Sequence, residues 1–170
     1  MNEARARGYL EVITNVAVLC VALLVLGTAG WRYLSPKTNA RSDGGLRRGE
    51  RLPEILGVDY RTASKTMVIA LSSKCSFCGD SIPFFNELAE KGGGSIRITA
   101  VFPESQGEVE EYVRQKQLRF PAIAGIDLAR LHLEATPISV LVDSGGKVLD
   151  FWVGKPSGEV GQRMIKALTG

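Results

Sequence analysis

The chain has 170 residues, room for one domain of ordinary size and something extra, and carries 21 Lys and Arg against 18 Asp and Glu. The excess is local: residues 1–49 hold seven basic against three acidic side chains, and residues 50–170 hold fourteen against fifteen. A near-neutral globular part excludes a nucleic-acid footprint, and the basic pI belongs to the N-terminal segment, where it suits anionic lipid headgroups.

Residues 1–11 form a short polar tail. From Val12 to Gly30 the sequence reads VITNVAVLCVALLVLGTAG, without a charge. Nineteen such residues at about 1.5 Å each reach roughly 28 Å, close to the thickness of a bilayer's hydrocarbon core. Trp31 and Tyr33 follow, where amphipathic rings favour a membrane interface. Residues 12–33 are therefore expected to be a transmembrane anchor. The competing reading is a signal peptide cut after the small residues Gly27, Thr28 and Ala29, but Glu3 and Glu11 flank the run poorly for that role. Arg5 and Arg7 on one side face Arg32, Lys37 and Arg41 on the other, so charge does not orient the span, and the chemistry of the domain must. Cys20, within the run, reads as apolar filler.

Residues 34–50 are polar, contain glycines and lack apolar periodicity, which predicts a flexible tether, with the globular domain over 51–170. Within it, TMVIAL (66–71) predicts a strand buried on both faces. Residues 79–91 place Ile82, Phe85, Leu88 and Ala89 at helical spacing, and a glycine run ends them. IRITAVF (96–102) reads as a strand. Residues 105–117 read as a helix opened by a capping box of Ser105 and Glu108. A short strand over 120–125 and a short helix over 127–133 come next. ISVLVD (138–143), the turn SGGK and VLDFWVG (148–154) make a hairpin, and 157–168 a closing helix. The order β-α-β-α-β-α-β-β-α predicts an α/β domain whose early crossovers are parallel and whose late hairpin makes the sheet mixed. Phe84, Phe85 and Phe120 read as core, and Glu108, Glu110 and Glu111 as a solvated helix face.

The chemistry concentrates in LSSKCSFCGDSIPFF (71–85). A Cys-x-x-Cys is compatible with half of a zinc site, a structural staple or a redox pair. Zinc takes about four ligands, and beyond Cys75 and Cys78 only Cys20 and His132 are soft candidates. A disulfide closing so short a loop removes little unfolded-state entropy, so it is a poor staple. A redox pair is favoured by the placement, after a buried strand and at the opening of a helix. Unpaired backbone N–H groups and the positive end of the helix dipole stabilise a thiolate there, and Lys74 adds a cation. Cys75 is expected to attack and Cys78, one turn on, to resolve the mixed disulfide.

With CSFCGDSIP, its proline five residues after the second cysteine, and ATPISVLVDSGGKVLDFWVG, the domain resembles the thioredoxin-fold superfamily, and within it the TlpA-like and redoxin membrane-anchored thiol–disulfide oxidoreductases. The resemblance covers residues 51–170. It implies a thioredoxin-like mixed sheet flanked by helices, preceded by one N-terminal transmembrane helix. It implies a cis peptide bond between Thr136 and Pro137, packed against the cysteine pair, with the backbone before the proline pairing with a substrate strand. Cys75 and Cys78 would be catalytic, and Lys74, Ser76, Phe77, Thr136 and Pro137 would shape the substrate site. No metal and no organic cofactor are implied, because the electrons reside in the two sulfurs. The implied partners are thiols and disulfides of exported proteins, a membrane electron donor and the lipid bilayer. The implied location is the inner membrane, single-pass, with the domain extracytoplasmic, and the expected work is reduction.

The sequence departs from the family at Lys74, where a tryptophan commonly precedes the first cysteine, and at Ser76 and Phe77, which replace dipeptides containing proline. Ile69 stands where thioredoxins carry a buried acid, and Ser81 where cytochrome-maturation members often have a glutamate. These differences leave substrate and direction open. Two other classes stay in view: copper delivery through Cys75, Cys78 and His132, and a tethered interaction module with idle cysteines. Glu134 is placed near the motif as a proton carrier or as an ordinary solvated loop carboxylate.

Overall fold

The structure, a computed structural model, describes residues 16, 18, 19, 45–92 and 96–169. The chain divides into two compact units, Met1–Ala40 and Arg41–Gly170. Of the first, only Val16, Val18 and Leu19 are described, helical and exposed. The expected anchor over 12–33 and most of the expected tether thus lie outside the described residues. Among the described residues no helix is long and apolar enough to cross a membrane.

The second unit is built on five strands: β1 (Lys65–Ala70), β2 (Ile96–Val101), β3 (Ala122–Ile123), β4 (Ile138–Asp143) and β5 (Val148–Val153). Three α-helices accompany them: α1 (Ser76–Lys91), α2 (Gln106–Lys116) and α3 (Gly158–Thr169). The sheet order is β3-β2-β1-β4-β5. β1 pairs parallel with β2, and β2 with β3, while β4 runs antiparallel to both β1 and β5. The sheet is mixed, as the alternation followed by a hairpin predicts.

Successive side chains of a strand point to opposite faces, and β1 uses both. Met67 and Ile69 pack with Ile82, Phe85 and Leu88 of α1, Tyr112 of α2 and Met164 of α3 in one buried cluster. Val68 and Ala70 pack with Val140, Val142 and Phe151 in another. Both parallel crossovers step in the same direction across the sheet, so right-handed connections put α1 and α2 on one face. The other face is closed by chain without α-helix, with Leu46, Leu52, Ile55 and Tyr60 from before β1 and Leu131 and Leu133 from the β3–β4 connection.

Differences from the sequence reading have local causes. α1 starts at Ser76 rather than at residue 79, because the Cys75 side chain caps it and so draws both cysteines into its first turn. β3 is only two residues long, an edge segment begun after Pro121, which has no N–H to give a ladder. The expected helix over 127–133 is one 3-10 turn, Ala129–Leu131, because His132 turns left-handed at φ 57° and ends it. The register of the hairpin shifts between Leu141 and Val142, leaving Leu149 unpaired and 40% exposed and placing both Val148 and Phe151 on the same face. The end of the expected tether is also packed: Leu46 is 2% exposed, the Gly49 N–H donates to the Val148 carbonyl, and the Val148 N–H donates to Glu50. Gly146, in the hairpin turn, has φ +78° and a Tyr60 ring carbon 3.0 Å from where a Cβ would stand, so the turn requires glycine.

Candidate active site

Three chain segments reach the same end of the sheet. β1 ends at Ala70, which registers with Val101 at the end of parallel β2 and with Ile138 at the start of antiparallel β4. The segment after β1 carries Cys75, the segment after β2 carries Glu104, and the segment before β4 carries Thr136 and Pro137. Groups from different parts of the sequence thereby converge beyond the carboxyl ends of the parallel strands.

Cys75 is the N-cap of α1, its sulfur accepting from the Cys78 backbone N–H at 3.3 Å. The Thr136–Pro137 bond is cis, as the resemblance implies, and Thr136 presents its carbonyl to the Cys75 thiol, which donates to it at 3.3 Å. Both cysteines are free thiols, Cys75 half-buried and Cys78 fully buried. Their chemistry separates accordingly. Burial acts to raise the Cys75 thiol, but hydrogen bonds from the Cys78 thiol, from Thr136 and from the backbone of Cys78 and Phe77 outweigh it and hold Cys75 below the usual range. Burial pushes the Cys78 thiol well up, and its donated hydrogen bond to Cys75 adds to that. One sulfur is partly exposed with its thiolate favoured, and the other is buried with its thiol form favoured.

The remaining expected site residues are distributed around this pair. Lys74 is exposed, and after burial, which raises the Cys75 thiol, the leading influences are hydrogen bonds that lower it. Ser76 is exposed, and Phe77 is 62% exposed beside the cysteines. Ser81 is buried and donates to the Phe77 carbonyl at 2.6 Å, and Ile69 is fully buried in the apolar cluster, so neither position supplies an acid. Glu134 and His132 are exposed. Among the described residues, no group of three or more His, Cys, Asp or Glu side chains is placed to hold a metal ion. Phe85 and Phe120 are buried, and Glu108 closes the capping box at α2.

Two residues at this end escaped the sequence reading as site groups. Glu104 is only 8% exposed; its Oε1 accepts from the Ser72 hydroxyl at 2.5 Å and from the Ser73 N–H at 3.0 Å. Tyr112 of α2 is 6% exposed and stacks edge-on against Phe102. The available signal for Glu104 was its position, a carboxylate just past the end of a strand that neighbours the Cys-x-x-Cys strand. Nothing in helical spacing separates Tyr112 from a core aromatic.

No protein-family model and no curated protein matches the sequence. The structure is similar to a protein assigned as the thiol:disulfide interchange protein DsbE of Chlorobium tepidum, with 22% identity and a TM-score of 0.63 over 74% of this chain and 99% of that one. It is similar to the thioredoxin domain of a thiol-disulfide oxidoreductase from Bacteroides vulgatus, with 14% identity and a TM-score of 0.60 over 74% and 99%. StoA from Bacillus subtilis matches with 19% identity and a TM-score of 0.54 over 64% and 84%. At such identities a likeness speaks for the fold: this chain folds as a thioredoxin-like α/β domain, with its Cys-x-x-Cys at the first turn of a helix and a cis-proline beside it.

Proposed function

We propose that the chain is a thiol–disulfide oxidoreductase whose Cys75 and Cys78 alternate between dithiol and disulfide. The observation that carries this reading is the asymmetry of the pair: a partly exposed thiol held below its usual range, with a buried thiol raised above its own one turn away. Attack by the Cys75 thiolate on a substrate disulfide gives a mixed disulfide, and attack by Cys78 releases the substrate with both its sulfurs reduced. The likeness to proteins whose names state thiol–disulfide exchange supports the same chemistry.

We place its substrates among exported proteins, with the chain working as a reductant. Residues 12–33 then tether the domain to the extracytoplasmic side of the cytoplasmic membrane, beside lipid and beside a membrane electron donor that restores the dithiol. An apolar uncharged run of bilayer length supports the tether. No metal or organic cofactor is required. Incubating the full-length chain, held in detergent micelles, with a disulfide-bonded protein tests the exchange. Cys78→Ser should accumulate a thiol-reversible adduct on Cys75, and Cys75→Ser should accumulate none. Absence of an adduct with Cys78→Ser would count against the reading.

A further inference from the structure

A hollow of about 600 Å³ opens at the cysteine end of the sheet, between the end of β2 and the segment that leads into β4. Its walls are mostly apolar, from Pro103, Ile126, Leu128 and Leu133, and two carboxylates, Asp127 and Glu134, stand on it. The two acids differ. Asp127 is committed to its own turn: its Oδ1 accepts from the Ala129 N–H at 3.1 Å, and its Oδ2 faces the Arg130 guanidinium at 3.7 Å. Glu134 is exposed and makes no hydrogen bond or ion pair among the described residues, so its negative charge stands uncompensated over the apolar walls. The position is close to the chemistry. Thr136, whose carbonyl accepts from the Cys75 thiol at 3.3 Å, lies two residues on from Glu134, a step of at most about 7 Å. Glu134 and Ala135, between the 3-10 turn and β4, make no backbone hydrogen bond among the described residues. Main-chain groups left open beside a nucleophile are available to an extended peptide.

We propose that this hollow is a subsite for a lysine or arginine side chain of the substrate, with Glu134 as the residue that selects it. The proposal rests on the exchange reading and names a substrate class within it: polypeptides with a basic residue beside the disulfide cysteine that Cys75 attacks. Lysine and arginine lay their apolar stems along apolar surface and keep the charged head at its edge. The hollow suits both parts, with Ile126, Leu128 and Leu133 for the stem and the Glu134 carboxylate for the head. An acidic side chain in the same place sets like charges side by side, so the site rejects as well as attracts. Arg130 does not cancel the effect, because it faces Asp127. Glu134 takes no part in the bond exchange, and attack on an uncharged disulfide does not depend on it.

The test uses the reduced full-length chain, in a Cys20→Ser background and in nonionic detergent micelles. It is mixed with short peptides that each hold one disulfide and differ only in the residues flanking the cysteines, Lys, Gln or Glu. Acid quenching and thiol alkylation give a second-order rate constant for each peptide. At low salt the Lys peptide should react about 5- to 10-fold faster than the Glu peptide, the size of one partly exposed ion pair gained in place of a repulsion. Salt at about 0.5 M should shrink that ratio. Glu134→Gln should bring the ratio close to one while leaving the Gln peptide at its wild-type rate, and Glu134→Lys should invert the preference. Glu87→Gln, the same loss of charge about three turns along α1 from Cys75, should leave the ratio unchanged. Equal rates for the Lys and Glu peptides, a preference for Lys that survives Glu134→Lys, or a ratio that Glu87→Gln lowers as far as Glu134→Gln does, each overturns the proposal and leaves the exchange reading standing. No reaction with any of the three peptides overturns the exchange reading and the proposal with it.

Discussion

At the scale of single residues, the two cysteines differ in environment more than their spacing suggests. Burial acts to raise the Cys75 thiol, but hydrogen bonds outweigh it and hold Cys75 below its usual range, so its alkylation rate should reach half its maximum at a lower pH than that of an unperturbed thiol. Cys78→Ala removes the first of those donors while leaving the backbone N–H, and the midpoint of Cys75 alkylation against pH should move up toward the free-thiol value. An unmoved midpoint would assign the lowering to the backbone alone. The place of the cysteine pair was legible in the sequence, because a Cys-x-x-Cys after an apolar strand defines its own position at a helix start. Thr136 and Pro137 were legible only through family resemblance. Glu104 was not legible, because its significance comes from the neighbouring ends of β1 and β2, a relation that appears only once the strands are paired.

At the scale of elements, α1 must be held in register for its first turn to present the cysteines. Pro83 inside α1 removes the N–H that would have bonded back along the helix, so α1 relies on outside ties. Asn86, 9% exposed, donates to the Gln117 carbonyl and accepts from the Arg119 N–H, both at 2.9 Å, fastening α1 to the turn after α2. Asn86→Ala leaves both backbone groups unpaired and should cost about 2–3 kcal/mol. Urea unfolding should show this as a lowered midpoint with an unchanged slope, and a shift under about 0.5 kcal/mol would mean the tie is dispensable. The periodicity of residues 82–89 showed which face of α1 is buried but not that Cys75 caps it, so the helix begins a turn early. The stretch over 127–133 misled for the opposite reason: its spacing is helical, but His132 adopts a left-handed turn that stops the chain after one 3-10 turn.

At the scale of the whole molecule, stability should depend on redox state and pH together. Cys78, Tyr60 and Tyr112 all titrate above their ordinary values of 9.0 and 10.0, with burial as the first cause in each; the two tyrosines are pushed up to about 12. A group whose folded value is raised keeps its proton longer in the folded chain than in the unfolded one. The contribution of these three groups to stability is therefore complete below pH about 9 and is lost progressively as pH rises toward about 12. In the disulfide form Cys78 does not titrate, so the loss should begin about one unit later, at the tyrosines. Urea midpoints of the reduced and oxidised full-length chain between pH 7 and 11 check this, and coincident curves would contradict it. The alternation of elements gave the mixed sheet, but not that one face would be covered by helices and the other by irregular chain including Leu46. Leu46 belongs to a stretch whose composition resembles a linker, and its burial emerges only in three dimensions.

The central claim is that Cys75 and Cys78 form a reversible redox pair, and its most direct test is an equilibrium titration. The full-length chain in detergent is equilibrated with graded dithiol–disulfide buffers, quenched by thiol alkylation and scored for two free thiols at positions 75 and 78. A two-electron transition is expected, and a midpoint toward the thioredoxin end of the range, near about −270 mV, is the result the reductant reading predicts. A midpoint near about −120 mV would reverse the direction of electron flow. A pair that never interconverts would contradict the claim itself.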